Sequence, residues 1–203
     1  MTKRRSPGPR RAPALPGRVR IVAGKWRGRL LPVCDEPELR PTPERIRETL
    51  FNWLAPRIEG ARCLDLFAGT GVLGLEALSR GAAAVFFIER SASAAGALQK
   101  SIAALGAEGA VVHAGDAFGY LQNNKQQAMD IVFLDPPYAL ESLTELCRLL
   151  QVNSWLAKGA SIYMEQDRGD ERPVLPDGFT VVREKTAGSV RYSLVMTPAN
   201  SED

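Results

Sequence analysis

Four acidic side chains in this chain each sit at or just after an apolar run. Asp65 lies in Cys63-Leu-Asp-Leu-Phe-Ala-Gly-Thr-Gly71 and Glu89 ends Val85-Phe-Phe-Ile-Glu89. Asp116 follows Ala110–Ala114, and Asp135 follows Ile131-Val-Phe-Leu134 and opens Asp135-Pro-Pro-Tyr138. The last of these is the sharpest. Pro136 and Pro137 fix the backbone and remove two N–H donors. Carbonyls in such a turn, together with the Asp135 carboxylate, can accept both hydrogens of an exocyclic amino group. That aims the nitrogen lone pair at an incoming methyl and offsets the positive charge developing on nitrogen. Tyr138 can stack on the plane of a base drawn out of its helix. A proline turn with no chemistry needs neither the acid nor the tyrosine.

The segment Cys63–Gly71 reads as a buried strand entering a glycine-rich turn before a helix at Val72. Gly69 and Gly71 allow close approach of a ligand and tolerate positive φ. Glycines at this spacing are weak evidence for a dinucleotide. Asp65 before the turn says more: a carboxylate repels a pyrophosphate and attracts a cationic or amine-bearing ligand. S-adenosylmethionine, with its sulfonium and amino groups, fits better than a nicotinamide cofactor. Glu89, about twenty residues on, is placed to accept both ribose hydroxyls. Asp116 is placed to accept from an adenine amino group, or equally to cap the helix that follows it.

The elements that position these acids follow from the hydrophobic pattern. Strands are predicted at Arg62–Phe67, Ala83–Glu89, Ala110–Ala114, Ile131–Leu134 and Ala160–Met164, alternating with helices at Val72–Ser79, Ala92–Leu105, Phe118–Asn123 and Ser142–Asn153. Continuous apolar strands alternating with helices indicate a parallel sheet covered on both faces, a doubly wound α/β fold with Rossmann-like order. Phe179–Lys185 and Val190–Thr197, joined by Thr186–Ser189, read as an antiparallel hairpin closing the sheet. Upstream, Thr42-Pro43-Glu44 reads as a helix start with Thr42 as N-cap. Ile46, Leu50, Trp53 and Leu54 form its apolar stripe.

Charge separates the ends of the 203-residue chain. The net charge of +3 hides ten basic residues and no acid in residues 1–30, which leaves the rest at −7. A basic end on an acidic body suggests a polyanion partner, because each cation on a phosphate releases a counterion. Arg18-Val-Arg-Ile-Val-Ala23 alternates basic and apolar residues and returns through Gly24–Gly28 to Arg29-Leu-Leu31, a small β-hairpin. Arg18, Arg20, Lys25, Arg27 and Arg29 are available for phosphates and Trp26 for base stacking. Met1–Gly17 reads as a disordered basic arm. Its four prolines and lack of an apolar core argue against a targeting peptide. The chain thus divides into the arm 1–17, the hairpin extension 18–40 and a catalytic domain 41–203.

Several classes fall away. No apolar run approaches the roughly 18 residues that span a bilayer. Cys34, Cys63 and Cys147 are too scattered for a disulfide framework or a zinc site. A single histidine, His113, in an apolar run, leaves no histidine-based metal site or triad and has a structural role there. A cytoplasmic protein without a metal is expected.

These residues resemble class I S-adenosylmethionine-dependent methyltransferases that carry an (Asp/Asn)-Pro-Pro-(Tyr/Phe) motif and act on exocyclic amino groups. Arg20–Arg29, Arg40-Pro-Thr-Pro-Glu-Arg-Ile-Arg-Glu-Thr-Leu-Phe-Asn-Trp53, Leu64–Gly71 and Phe133–Tyr138 further resemble the bacterial 16S rRNA guanine-N2 methyltransferase family of the RsmD type. The resemblance covers residues 18–197. It implies methyl transfer to N2 of one guanine of 16S rRNA, at position 966, within the small ribosomal subunit or an assembly intermediate; a monomer is expected from a single domain of this kind. It also implies that Asp65, Phe67, Ala68, Gly69 and Gly71 surround the methionine and ribose of the cofactor, with Thr42 near its methionine end. By the same resemblance Glu89 holds the ribose, Asp116 and Ala117 the adenine, and Asp135, Pro136 and Tyr138 the guanine amino group. The alternatives are a DNA adenine-N6 or cytosine-N4 methyltransferase, for which the chain leaves little room for target recognition, and a non-catalytic RNA-binding assembly factor. An NAD-dependent oxidoreductase is opposed by Asp65 and Asp135.

Overall fold

The computed structural model describes residues 17–33, 41–123, 128–137 and 142–199. Tyr138, Arg40, Cys34 and all but the last residue of the Met1–Gly17 arm lie outside these residues. The described chain runs β1 (Arg18–Arg20), β2 (Leu30–Pro32), α1 (Glu44–Leu54), β3 (Arg62–Asp65), α2 (Val72–Ser79), β4 (Ala84–Glu89) and α3 (Ala92–Leu105). It continues β5 (Ala110–Ala114), α4 (Ala117–Asn123), β6 (Met129–Leu134), α5 (Leu143–Val152), β7 (Leu156–Asp167), β8 (Thr180–Ala187) and β9 (Val190–Met196).

Seven strands form one sheet in the order β5-β4-β3-β6-β7-β9-β8, and β1 pairs with β2 apart from it. The pairs β5–β4, β4–β3, β3–β6 and β6–β7 are parallel; β9 runs antiparallel to both β7 and β8. The expected doubly wound fold with an antiparallel C-terminal hairpin and a small N-terminal hairpin is therefore the observed one. Chain order reverses direction across the sheet between β3 and β6. Ligands of open α/β sheets bind in the crevice at the carboxyl ends of such a pair of strands, and Asp65 and Asp135 lie there.

Burial explains the strand composition. In β3, Cys63, Leu64 and Asp65 are buried, and in β6 only Asp130 is not. One apolar cluster joins α1, α2 and one sheet face; a second joins α4, α5 and the other face. β5 differs from expectation. As an edge strand it exposes Val111 and His113, the latter packing against Tyr120 at 4.8 Å between ring centres. Periodicity identifies a strand but does not say that it ends the sheet. Among the described residues no helix is long and apolar enough to cross a membrane.

Helix α1 starts one residue later than expected. Pro43, at φ −55 and ψ 144, is the boundary residue, and no side chain caps the helix. Thr42 is not its N-cap. The buried hydroxyl is turned away from the helix and donates to Asp135 Oδ2 at 3.3 Å.

Every residue of α2 is buried, including Glu76. The helix is covered by the sheet on one side and by the N-terminal hairpin on the other. Glu76 accepts from the backbone N–H groups of Val22 (2.8 Å) and Ala23 (3.0 Å) and pairs with Arg47 (3.1 Å) and Arg80 (2.9 Å). Gly24 approaches so closely that a Cβ would lie 1.8 Å from the Ser79 carbonyl oxygen, and its φ is +79. Lys25 N–H donates to that same oxygen at 2.7 Å. Val19, Ile21, Trp26 and Leu31 join the core shared with α1 and α2.

Candidate active site

The carboxyl ends of β3, β4, β6 and β7 bring Asp65, Glu89, Asp135 and Glu165 to one edge of the sheet. Asp65 pairs in register with Phe87 of β4 and Phe133 of β6, so the ends of β3, β4 and β6 are level. Leu134 pairs with Met164, which brings Glu165 beside Asp135.

The glycine loop is built on this edge. Gly69 and Gly71 adopt φ +52 and +72, a region in which only glycine is free of Cβ strain. Gly71 has a second requirement: a Cβ would lie 2.2 Å from Leu98 of α3. Asp65, 2 % exposed, accepts the Gly74 N–H at 3.3 Å. Glu89 spends one oxygen on Gly69 N–H and the other on Ser91 N–H, both at 2.7 Å. It therefore braces the loop from the next strand, and each oxygen keeps a lone pair for a hydroxyl donor. Phe67 and Gly69 are half-buried, and Ala68 is buried. Asp116 is exposed and accepts Gly119 N–H at 2.8 Å, capping α4, while Ala117 begins that helix and is buried.

Around Asp135 the arrangement is polar and largely enclosed. Asp135 itself is half-buried, Pro136 is buried and Pro137 exposed. Thr42 reaches Asp135 from the segment before α1, and Arg47 fixes Thr42 by donating from Nε to its carbonyl at 3.0 Å. Glu165, 3 % exposed, accepts the Tyr163 hydroxyl at 2.6 Å. Among the described residues no ion pair involves Asp65, Asp135 or Glu165. Burial lifts Asp65 to about 7 against the opposing hydrogen bond of Gly74, and negative Asp135 and Glu89 lift it further. Burial also raises Asp135, to about 6, and the Thr42 hydroxyl opposes that rise. Glu165 rises more, to about 8, through burial and then the charge of Asp135. Removing carboxylates from water without a counter-ion disfavours their charged forms. Such a pocket gains free energy when a cation or amino group enters.

Of the residues singled out from sequence, the structure brings together Thr42, Asp65, Phe67, Ala68, Gly69, Gly71, Glu89, Asp135 and Pro136 on the crevice. Asp116 and Ala117 stand one strand further out, after β5. Arg18, Arg20, Lys25, Arg27 and Arg29 are all exposed on the hairpin. Trp26 is not available for stacking. It is 8 % exposed, packed in the core, with its backbone N–H on Ser79 Oγ at 2.9 Å. The tight Gly24 turn folds the indole inward, and Lys25 lies over it with Nζ 5.5 Å from the ring centre.

Sequence reasoning missed Glu165 and Glu76. The signal for Glu165 was the same as for the other acids, a carboxylate late in an apolar strand, Ile162-Tyr-Met-Glu165. Glu76 was the one charge in the apolar helix Val72–Ser79.

Comparison with known proteins agrees with this geometry. A family model described as "Conserved hypothetical protein 95" matches residues 19–196. The chain is 48 % identical over 186 residues to ribosomal RNA small subunit methyltransferase D of Escherichia coli, covering 92 % of this chain and 93 % of that protein. It is 44 % identical to the Haemophilus influenzae protein of the same name, over 90 % of this chain and 95 % of that one. A solved structure of a putative methyltransferase from Escherichia coli superposes with a TM-score of 0.83 at 45 % identity, over 91 % of this chain and 100 % of that chain. With near-complete coverage in both directions and a common fold, the chain belongs to the family of the ribosomal RNA small subunit methyltransferase D proteins.

Proposed function

We propose that this protein transfers a methyl group from S-adenosylmethionine to the exocyclic N2 of a guanine in 16S rRNA, the guanine at position 966. The observation that carries the reading is a pair of carboxyls without a counter-ion among the described residues, buried Asp65 and half-buried Asp135, on adjacent strands at the point where chain order reverses. Their raised pKa values mark a site short of positive charge. The names of the relatives, ribosomal RNA small subunit methyltransferases, supply the substrate class.

The residues fit the cofactor. Asp65, Phe67, Ala68, Gly69 and Gly71 hold its methionine and ribose end beside Thr42, Glu89 takes the ribose hydroxyls, and Asp116 and Ala117 the adenine. When bound, S-adenosylmethionine supplies a methyl group activated by its sulfonium. The rest of the chemistry belongs to the protein. Guanine N2 is a poor nucleophile because its lone pair is delocalised into the ring. Asp135 and the carbonyl of Pro136 accept its two hydrogens, turn the lone pair toward the methyl carbon and offset the positive charge that develops. Pro136 and Pro137 offer no N–H to compete, and Tyr138 stacks on the base. Alignment of nitrogen and carbon would supply much of the rate; as the nitrogen–methyl bond forms the methyl–sulfur bond breaks, and the surplus N2 proton would pass to the Asp135 carboxylate.

The hairpin cations Arg18, Arg20, Lys25, Arg27 and Arg29 grip phosphates. Replacing all five with glutamine weakens RNA binding and lowers the slope of log affinity against log salt by about one unit for each phosphate no longer neutralised. An unchanged slope removes the hairpin from the RNA interface.

The reaction itself is tested with methyl-labelled S-adenosylmethionine, unmodified small subunits and duplex DNA in parallel, followed by digestion to nucleosides. Label in N2-methylguanosine is expected. Label in N6-methyladenine or N4-methylcytosine of DNA replaces this reading with a DNA methyltransferase. Cofactor binding without label in either replaces it with an assembly factor.

A further inference from the structure

Arg47 is a cation sealed into the core at 1 % exposure, and the chemistry described above does not use it. A buried ion pair adds little stability over well-packed apolar side chains of similar volume, so stability alone does not explain an arginine here. Its position does. Arg47 lies in the first turn of α1, and a helical side chain leans back toward the start of its helix. There Nε donates to the Thr42 carbonyl at 3.0 Å. The first backbone N–H groups of the helix, those of Ile46 (3.0 Å) and Arg47 (3.1 Å), go to the Pro43 carbonyl instead. Among the described residues only the Arg47 side chain holds the Thr42 carbonyl. Nη1 of the same guanidinium reaches Glu76 Oε2 at 3.1 Å, the oxygen that also accepts Val22 N–H of the hairpin at 2.8 Å.

Thr42 has little freedom of its own. Pro41 and Pro43 stand on either side of it, and a residue before a proline is confined to extended backbone. Its branched side chain is stiff at χ1. Once the carbonyl is tied, the direction of the hydroxyl follows, and that hydroxyl donates to Asp135 Oδ2 at 3.3 Å. Pro136 and Pro137 fix the backbone after Asp135 but not its carboxyl. Among the described residues Thr42 is the only side chain that donates to that carboxyl. Hydrogen bonds thus run without a break from the hairpin turn through Glu76, Arg47 and Thr42 to Asp135.

We propose that Arg47 is a positioning residue for Asp135. It sets the Thr42 carbonyl, the Thr42 hydroxyl then holds Oδ2, and Oδ1 is left for the acceptor amino group. Because Arg47 takes its own bearing from Glu76, the docking of the hairpin on Glu76 enters the geometry of the site. The inference rests on the role given to Asp135 under the proposed function.

The test measures turnover at saturating S-adenosylmethionine and small subunits for Arg47→Lys, Thr42→Val, Thr42→Ser and Asp135→Ala in the full chain, each well below its own Tm. A lysine keeps the charge against Glu76 but lacks the planar fork that serves two partners at once. Arg47→Lys lowers kcat roughly tenfold to a hundredfold, the scale expected when a reacting group is held up to about an ångström off. Its affinity for S-adenosylmethionine and its KM for small subunits stay within about twofold. Thr42→Val lowers kcat to a similar degree, and Thr42→Ser, which keeps the hydroxyl, stays within about threefold of the unaltered chain. Arg47→Lys combined with Thr42→Val is no slower than the worse single variant, because both act on one hydrogen bond. Independent effects multiply instead.

A merely structural Arg47 lowers Tm and leaves kcat of the folded protein alone. Multiplied losses in the double variant, a loss that falls on KM rather than kcat, or full turnover in Thr42→Val overturns the proposal. Should Arg47→Lys fail to fold, Arg47→Met together with Glu76→Gln removes the buried cation and its counter-charge at once, which buried pairs often tolerate. That variant shows the same fall in kcat, and unaltered turnover in it overturns the proposal. If Asp135→Ala keeps full turnover, the reading of Asp135 fails. If Asp135→Ala is slow while Arg47→Lys matches the unaltered chain, only the role of Arg47 fails.

Discussion

An Asp135→Ala protein binds S-adenosylmethionine nearly as well as the unaltered chain and transfers methyl groups about a hundredfold to a thousandfold more slowly, the cost of removing one well-placed electrostatic partner from a transition state. The substitution removes both carboxyl oxygens, including the Oδ2 that the Thr42 hydroxyl reaches at 3.3 Å. Pro136 and Pro137 still fix the turn. What changes is the atom facing the substrate. A carboxylate accepts a hydrogen of the amino group, whereas a methyl accepts none. The full charge that offsets a cationic nitrogen is also gone. The loss thus falls on kcat rather than on the cofactor, whose binding the proposed function assigns to the glycine loop and Glu89 on β3 and β4. Single-turnover kinetics and cofactor titration separate the two. An equal fall in cofactor affinity and in kcat overturns the assignment of Asp135 to the amino group.

Replacing Glu76 with alanine destabilises the fold by ~3–5 kcal/mol, the range for breaking a buried ion pair from one side. Glu76 is fully buried and serves four partners: two backbone N–H groups of the hairpin turn and the guanidinium groups of Arg47 and Arg80. Its removal leaves Arg47, 1 % exposed, as a buried cation that desolvation already pulls below its ordinary value and that Glu76 supports. Arg80 keeps its position over the Phe51 ring, 4.8 Å from its centre. For a chain of this size each kcal/mol shifts Tm by about 2–4 °C, so calorimetry shows a fall of roughly 10 °C. A change under about 2 °C at the same pH excludes Glu76 as the anchor of the hairpin. The effect reaches the crevice as well. Arg47 joins Glu76 to the Thr42 carbonyl, so the element carrying the hairpin cations and the element touching Asp135 share one support.

Much of this protein was readable from residue order alone, for local reasons. Strand Ile131–Leu134 and its Asp-Pro-Pro turn are contiguous in sequence, so an apolar run with period-breaking prolines marks both the element and the acid that ends it. The same holds for Cys63–Gly71, where the acid, the strand and the glycine turn lie within nine residues, and for Glu89. The bounds of α2, α3 and β5 follow from helix and strand patterns and agree with the structure. The alternation of strands and helices determined the doubly wound class, and charge counting located the basic surface.

Tertiary structure decided what depends on neighbours distant in sequence. Thr42 has the residue type of an N-cap and the right place for one, yet its hydroxyl is committed to Asp135, 93 positions away. No local rule sees that partner. Trp26 lies among cations in a turn, which reads as a surface aromatic. The close approach of Gly24 to Ser79 folds it into the core, because burying an indole outweighs leaving it on the surface. His113 reads as buried because its run is apolar, and is exposed because β5 ends the sheet. Glu76 and Glu165 carry the same lesson. An acid in an apolar helix or strand can be read as a surface charge until the structure shows every side covered, and then its partners must be found. Local patterns set the elements and the acids at their ends, because backbone preference and side-chain period act over a few residues. Burial, and with it the pairing and protonation of those acids, was decided only when distant strands closed the site and removed the water.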